Sequence, residues 1–470
     1  MRNLRGIAAI ALAGVAVLGT GVVDVATSGG TSYPARWDPR VLPIVHFVES
    51  MRGLHFKHPV PVAFLDDKQF EKEVAVPAPE SKKDKADLER ALDTLRALGL
   101  VQGAVDLRAA FDTLGKASII GLYVPEKKKV FVRGTDLDPY TRVTLAHELT
   151  HVLQDQYFDL KKLQDDAPGG DSTAVTALIE GDAVRIQDSY EKQLSSEDQK
   201  AFAQASDSAS ARSDDATGVP AVLSDFLSFP YVFGPVLLDS LTEEGGNGAV
   251  DRAFRMPPSA EAQIVDPSSH PLGDKPTHVP TPSLPPGAKK LDDVAPFGQV
   301  SLFEVLGSQL GYRTAWDAVA GWKGDASVPY KTGGTTCVAI DVAMASQAAT
   351  ALLLTTGRQW ATHVPGASVG TASGTVAFRS CDPGAHGRPL PTMATSAFTV
   401  LAARAQIIHA VMASGAPYPF GRCVADGVIA TLGPSGYGDL AATDLPPARL
   451  AALQQLAAKA AAHCRAPGSA

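Results

Sequence analysis

Between Pro257 and Pro296 the chain carries ten prolines. Each lacks a backbone donor and fixes φ, so neither a regular helix nor an interior strand runs through such a segment. It reads as an irregular linker, or as a strap laid over the part before it. It therefore parts the chain in two. With 470 residues there is too much chain for one ordinary core. The division expected is a domain over 35–298, with the strap 257–296 near its end, and a smaller unit over 299–470.

Ahead of the strap, helix and strand patterns mix. "HPVPVAFL" (58–65) reads as a short strand. "SKKDKADLERALDTLRALGL" reads as a helix capped by Ser81, with Leu88, Leu92, Leu95 and Leu98 at helical spacing. "DLRAAFDTLG" reads as a second short helix. "ASIIGLYVPEKKKVFVRG" reads as two strands about a turn at Pro125–Lys127. A helix capped by Asp138, with Pro139 in its first turn, follows, and then one capped by Ser172. The polar stretch 195–218 reads as a flexible insertion. Pro230 and Pro235 break the apolar run "VLSDFLSFPYVFGPVLLDSL". Beyond the strap, "CVAIDVAM" and "GTVAFRSC" read as strands flanking the helix "SQAATALLLTTGRQWATHV". "TGGTT" and "GPSGYGD" read as turns, and two Ala-rich helices close the chain. The fold class expected is α+β, with an α/β C-terminal unit.

Forty-two basic and 50 acidic residues leave a net charge of −8. That balance argues against a nucleic-acid binder. At the N-terminus, Arg2 and Arg5 precede an apolar run of 18 residues, Gly6 to Val23. Residues 1–26 read as a signal peptide, or as an N-terminal membrane anchor at the lower edge of spanning length. Either way the remainder is expected outside the cytoplasm, secreted or at the cell envelope. Cys337, Cys381, Cys423 and Cys464 are the only cysteines. An even count in an exported chain predicts two disulfides, with three pairings open; the local pairing joins Cys337 to Cys381 and Cys423 to Cys464.

The chemistry lies in "TLAHELTHVLQDQYF" (144–158). Residues four apart share a helix face, so His147 and His151 project side by side, and two imidazole nitrogens spaced this way reach one zinc ion at about 2.0–2.1 Å. Glu148 points off that axis, placed to take a proton from water at the metal. A catalytic zinc needs a third protein ligand. Glu180, in "ALIEGDA" on the next helix and 29 residues after His151, supplies it. Gly181 beside it costs helix stability, which suits a site where another backbone or a substrate passes close.

His147-Glu148-Leu149-Thr150-His151 followed by Leu178-Ile179-Glu180-Gly181-Asp182-Ala183 resembles the gluzincin metallopeptidases. Its core spelling is similar to thermolysin's, and its Glu-Gly-x-Ala segment to that of aminopeptidase N-type enzymes. The longer run from "GLYVPEKKKVFVRG" to "ALIEGDA" is similar to exported actinobacterial zincin-like proteins. The resemblance implies a zincin-like domain: a small sheet over the active helix, then a mainly helical lobe. It implies zinc held by His147, His151 and Glu180, Glu148 as general base, and a peptide or protein substrate lying extended along an edge strand, Lys128–Gly134 or Ala117–Val124. An oxyanion donor is expected downstream; Tyr231 is first in order and His270 second. Val184 stands where thermolysin-type sequences carry an Asp that orients a histidine, and no Gly-x-Met-Glu-Asn segment is present, which favours an endopeptidase over an aminopeptidase. The rival expectation is a catalytically silent zincin fold serving as a binding or envelope-interaction module.

Overall fold

The computed structural model describes residues 33–465, apart from 76–80, 215–217, 269, 388–389, 391–392, 394 and 442–444. The signal or anchor expected at 1–26 lies outside the described residues. Helix α1 (Leu42–Arg52) leads to strand β1 (Val62–Leu65), then α2 (Asp67–Val74), α3 (Lys82–Ala97) and α4 (Leu107–Ser118). Strands β2 (Gly121–Val124) and β3 (Lys129–Arg133) form a hairpin. Helices α5 (Pro139–Phe158), α6 (Leu160–Asp165), α7 (Ser172–Lys192), α8 (Ser196–Asp214) and α9 (Ala221–Arg255) follow, and the strap opens with the short α10 (Ala262–Val265). The C-terminal part is β4 (Lys289–Lys290), α11 (Gln299–Leu310), α12 (Tyr312–Val319), β5 (Trp322–Thr332), β6 (Thr335–Met344), α13 (Gln347–His363), β7 (Ser368–Ala372), β8 (Thr375–Cys381), α14 (Ala397–Ala413), α15 (Tyr418–Ala441) and α16 (Pro447–Cys464). The fold is mixed α+β.

The first sheet has the order β1-β3-β2, with β1 parallel and β2 antiparallel to β3. One face packs on α5: Tyr123, Val130 and Val132 share a buried cluster with Leu145, Leu149 and Val152. The other face holds Val124 and Phe131 against Phe70 and Val74 of α2. The second sheet has the order β4-β5-β6-β8-β7, antiparallel at each pairing. Val338, Ile340, Val376 and Phe378 turn one of its faces into the largest core cluster, against Trp360 of α13 and Leu95 of α3. That cluster runs from Ala91 to Tyr437, across residues 298 and 299.

Local chemistry explains most helix starts. Ser81 and Asp84 form a capping box on α3, and Asp66 with Gln69 does the same on α2. Asp138 accepts from Thr141 N at the head of α5, with Pro139 in the first turn. Helix α7 is capped by Asp171, not by Ser172: Asp171 Oδ1 accepts from Ala174 N at 3.1 Å.

Three further expectations are corrected and a fourth is widened. The polar stretch expected to be flexible contains α8, anchored to α5 by the Arg142–Asp198 ion pair (2.9 Å) and by Phe202 on Tyr140, ring centroids 5.6 Å apart. Pro230 and Pro235 do not break their segment. They lie inside α9, whose non-helical residues are Gly245 and Gly246 instead; burial of Phe226, Phe229, Phe233 and Leu237 offsets the lost backbone bonds. "GPSGYGD" is part of α15, with a kink at Gly433 (φ 63°), because Tyr437 packs inward on Tyr312 at 5.9 Å. The strap covers the second sheet as well as the N-terminal part, where Glu261 N donates to Asp171 Oδ2 at 2.9 Å and Arg90 pairs with Asp292 at 3.2 Å. Leu284, Ala288 and Val294 pack on Val328, Tyr330, Cys337 and Ala339, while Thr277 N donates to Lys323 O at 2.7 Å and Leu291 N to Pro329 O at 2.9 Å.

Both disulfides pair locally. Cys337–Cys381 joins directly opposed residues of β6 and β8, and Cys423–Cys464 ties α15 to α16. Two disulfides and no free cysteine suit a protein matured in an oxidising, extracytoplasmic compartment.

Candidate metal centre

Helices α5 and α7 pack side by side and turn His147, His151 and Glu180 toward one point. His147 Nε2 lies 3.0 Å from His151 Nε2 and 3.1 Å from Glu180 Oε2, and His151 Nε2 lies 3.3 Å from that same oxygen. All three residues are buried. Among the described residues, this is the one group of three or more His, Cys, Asp or Glu side chains whose donor atoms converge within 4.8 Å. Three ligands 2.0–2.1 Å from a tetrahedral ion stand roughly 3.3 Å from one another, so the triangle could hold a metal ion with little adjustment. The donor set of two imidazoles and a carboxylate suits a borderline cation such as zinc. Burial disfavours charge throughout the cluster, but the partners outweigh it: Glu180 lifts the pKa of His151 to about 9, and the imidazoles hold Glu180 well below the usual carboxylate range.

The helices approach this closely because of two glycines. A Cβ on Gly181 would meet Gly234 C at 2.5 Å, and one on Gly234 would meet Ala177 O at 2.3 Å. The backbone expected to pass close to Gly181 is therefore that of α9. The contact seats α7 deep between α5 and α9, with Glu180 at the level of the histidines.

Glu148 is placed by β2. Its Oε2 accepts from Tyr123 N at 2.7 Å. Gly121 permits the approach, since a Cβ there would meet Thr144 Cγ2 at 2.5 Å and Glu148 Cγ at 2.8 Å. The Tyr123 hydroxyl donates to Asp155 Oδ2 at 2.6 Å, and Lys128 Nζ reaches the same oxygen at 2.6 Å. Two points of one residue thus clamp β2 to α5. Burial raises the pKa of Glu148; the two imidazoles and Tyr123 N–H pull it down, and the Glu180 charge adds to the rise. Of the two segments suggested as an edge, only the one containing β2 qualifies, because β3 is central in its sheet.

Tyr231 of α9 stands over His147, ring centroids 6.1 Å apart and planes 24° apart, and its hydroxyl is hydrogen-bonded to Glu180. The residue is 42% exposed. Desolvation and the charges of Glu180 and Glu148 keep the phenol protonated far above its usual range. His270, the second candidate, instead lies against Trp322 of the second sheet at 6.5 Å.

Gln154, Asp182 and Arg52 complete the centre without having been anticipated. Gln154 Oε1 meets His151 Nδ1 at 2.9 Å; Asp182 Oδ2 holds Gln154 Nε2 at 3.0 Å and Arg52 Nε at 2.8 Å. Gln154 follows His151 by three residues, which places it on the same helix face; that is the one sequence signal for it. Nothing local marks Tyr123 or Arg52. Compared with known proteins, the chain matches no family model, no curated protein and no solved structure.

Proposed function

We propose that the protein is an exported zinc-dependent peptidase of the gluzincin type, acting as an endopeptidase. The observation that carries this reading is the convergence of His147, His151 and Glu180 with Glu148 one residue along the same helix, its carboxylate steadied by a strand backbone. A binding module has no use for the fourth group. His147, His151 and Glu180 would hold the zinc ion, which supplies Lewis acidity to polarise a carbonyl and acidify water. Glu148, with one oxygen held by Tyr123 N–H, takes a proton on its carboxylate and returns it to the leaving amine nitrogen. Its raised pKa suits both halves of that duty. The Tyr231 O–H donates to the oxyanion that develops on the scissile carbonyl. The three-stranded sheet lies over α5 with β2 at its edge, a place where an extended peptide can add as a further strand.

The test is direct. Purified protein offered zinc is expected to take up one ion per chain and to hydrolyse an unstructured protein substrate. A chelator should abolish the hydrolysis and added zinc restore it. Failure to take up zinc would remove the metal centre altogether. Full zinc loading with no cleavage of any of a diverse peptide set would leave a metal-binding module and remove the peptidase.

A further inference from the structure

The centre is arranged so that the side of His151 that faces the cluster is decided from the far side of the imidazole. His151 Nδ1 and Gln154 Oε1 are 2.9 Å apart. The orientation of the Gln154 amide is not free. Its other atom, Nε2, lies 3.0 Å from the backbone carbonyl Ile179 O and 3.0 Å from Asp182 Oδ2. A carbonyl oxygen only accepts. Asp182 Oδ2 also accepts from Arg52 Nε at 2.8 Å, and Asp182 Oδ1 from Arg185 Nη2 at 2.8 Å. Exchanging the amide's nitrogen and oxygen would set an oxygen against two acceptors, so nitrogen faces Asp182 and oxygen faces His151. That oxygen only accepts, and the proton of the contact therefore sits on His151 Nδ1.

We infer that Gln154 is a positioning residue: it pins the proton of His151 on Nδ1, leaving the Nε2 lone pair for the metal, and is itself oriented by the buried Arg52–Asp182–Arg185 group. This rests on the reading of the cluster as a metal site. The chain of contacts crosses three elements, since Arg52 ends α1, Gln154 lies on α5 and Asp182 on α7. Arg52 is 1% and Asp182 0% exposed, so water does not compete for these bonds. His147 Nδ1 has no partner of this kind in the structure, so the control acts on one histidine of the pair.

The experiment uses the full-length protein labelled with 15N-histidine, with and without zinc. His151 is expected to show an Nδ1–H signal protected from solvent exchange in both states, and zinc is expected to shift its Nε2. In Gln154→Met, similar in length but without the amide oxygen, the Nδ1–H signal should exchange rapidly. The zinc dissociation constant, read by chelator competition, should rise about 10- to 100-fold. Zinc on Nδ1 of His151, or no protected Nδ1–H in the wild type, would overturn the inference. So would a Gln154→Met protein that keeps both the signal and the affinity. If that variant does not fold, the wild-type spectrum still decides. If the wild type binds no zinc, the peptidase reading fails, while the Nδ1–H signal of the zinc-free protein still reports on the Gln154 contact.

Discussion

Glu148 and Glu180 are chemically alike and lie within one buried site, yet their surroundings push their pKa values apart, the usual mark of divided roles. The imidazoles keep Glu180 ionised, while burial raises Glu148. Glu148→Gln keeps the shape and the contact to Tyr123 but accepts no proton. It should retain zinc while turnover falls about 10²- to 10⁴-fold; metal content and turnover measured on one preparation check both halves, and unchanged turnover would remove Glu148 as base. Tyr231→Phe should lower kcat about 10²- to 10³-fold, the loss of one oxyanion donor, with zinc content unchanged. Equal loss of zinc and rate would make Tyr231 a support for Glu180 instead. His147, Glu148 and His151 were legible in the sequence because their geometry is set by a single helix. Gln154 offered only its three-residue spacing from His151, and Tyr123 offered none, because it reaches Glu148 and Asp155 through a tertiary crossing that leaves no local spacing to read.

The crossing of α7 and α9 carries the element-scale prediction. In an exposed helix, Gly→Ala stabilises by up to about 1 kcal/mol. At Gly234 the sign should reverse, because the new methyl would stand 2.3 Å from Ala177 O. Gly234→Ala is expected to destabilise by about 1–3 kcal/mol, as overpacking does, and to weaken zinc binding by displacing α7 and taking Glu180 off the level of the histidines. A raised melting temperature would contradict the close crossing. Sequence reasoning treated helices well where a cap and an apolar stripe coincide, as at Ser81 and Asp138. It failed at α8, whose stripe is little more than Phe202, and at α9, where tertiary burial overrides two prolines.

Across the whole molecule, carboxyl groups from five elements or their flanks lie near one another in the interior: Asp171 before α7, Glu261 before α10 and Glu304 on α11 are buried, and Asp225 on α9 and Asp325 on β5 are half-buried. Burial pushes Asp171 up to about 6 and Asp225 to about 7; Glu261 and Glu304 are raised well above the usual range, by burial first and then by their acidic neighbours. A carboxyl whose folded pKa exceeds its unfolded value of about 4 contributes stability below that value and loses it as pH rises through the folded pKa. The melting temperature should therefore fall between pH 5 and pH 8, and fall less in Glu304→Gln, which cannot ionise. Glu304 Oε1 has no hydrogen-bond partner in the structure, so the amide leaves no bond of that atom unmade. Identical pH profiles for the two proteins would show that burial does not raise the Glu304 carboxyl.

The contacts between α3 and the second sheet have a consequence for biosynthesis. Thr336 Oγ1 donates to Asp93 across 243 residues, and Arg96 pairs with Asp382 across 286. Loops of that length cost about 5 kcal/mol of chain entropy to close. As the chain leaves the ribosome, α3 is among the first helices made, and the strands it packs on come near the end. The converging side chains His147, His151 and Glu180 have all emerged well before those strands. A growing chain therefore carries these side chains through some two hundred further residues of synthesis before the last of those strands can close over α3.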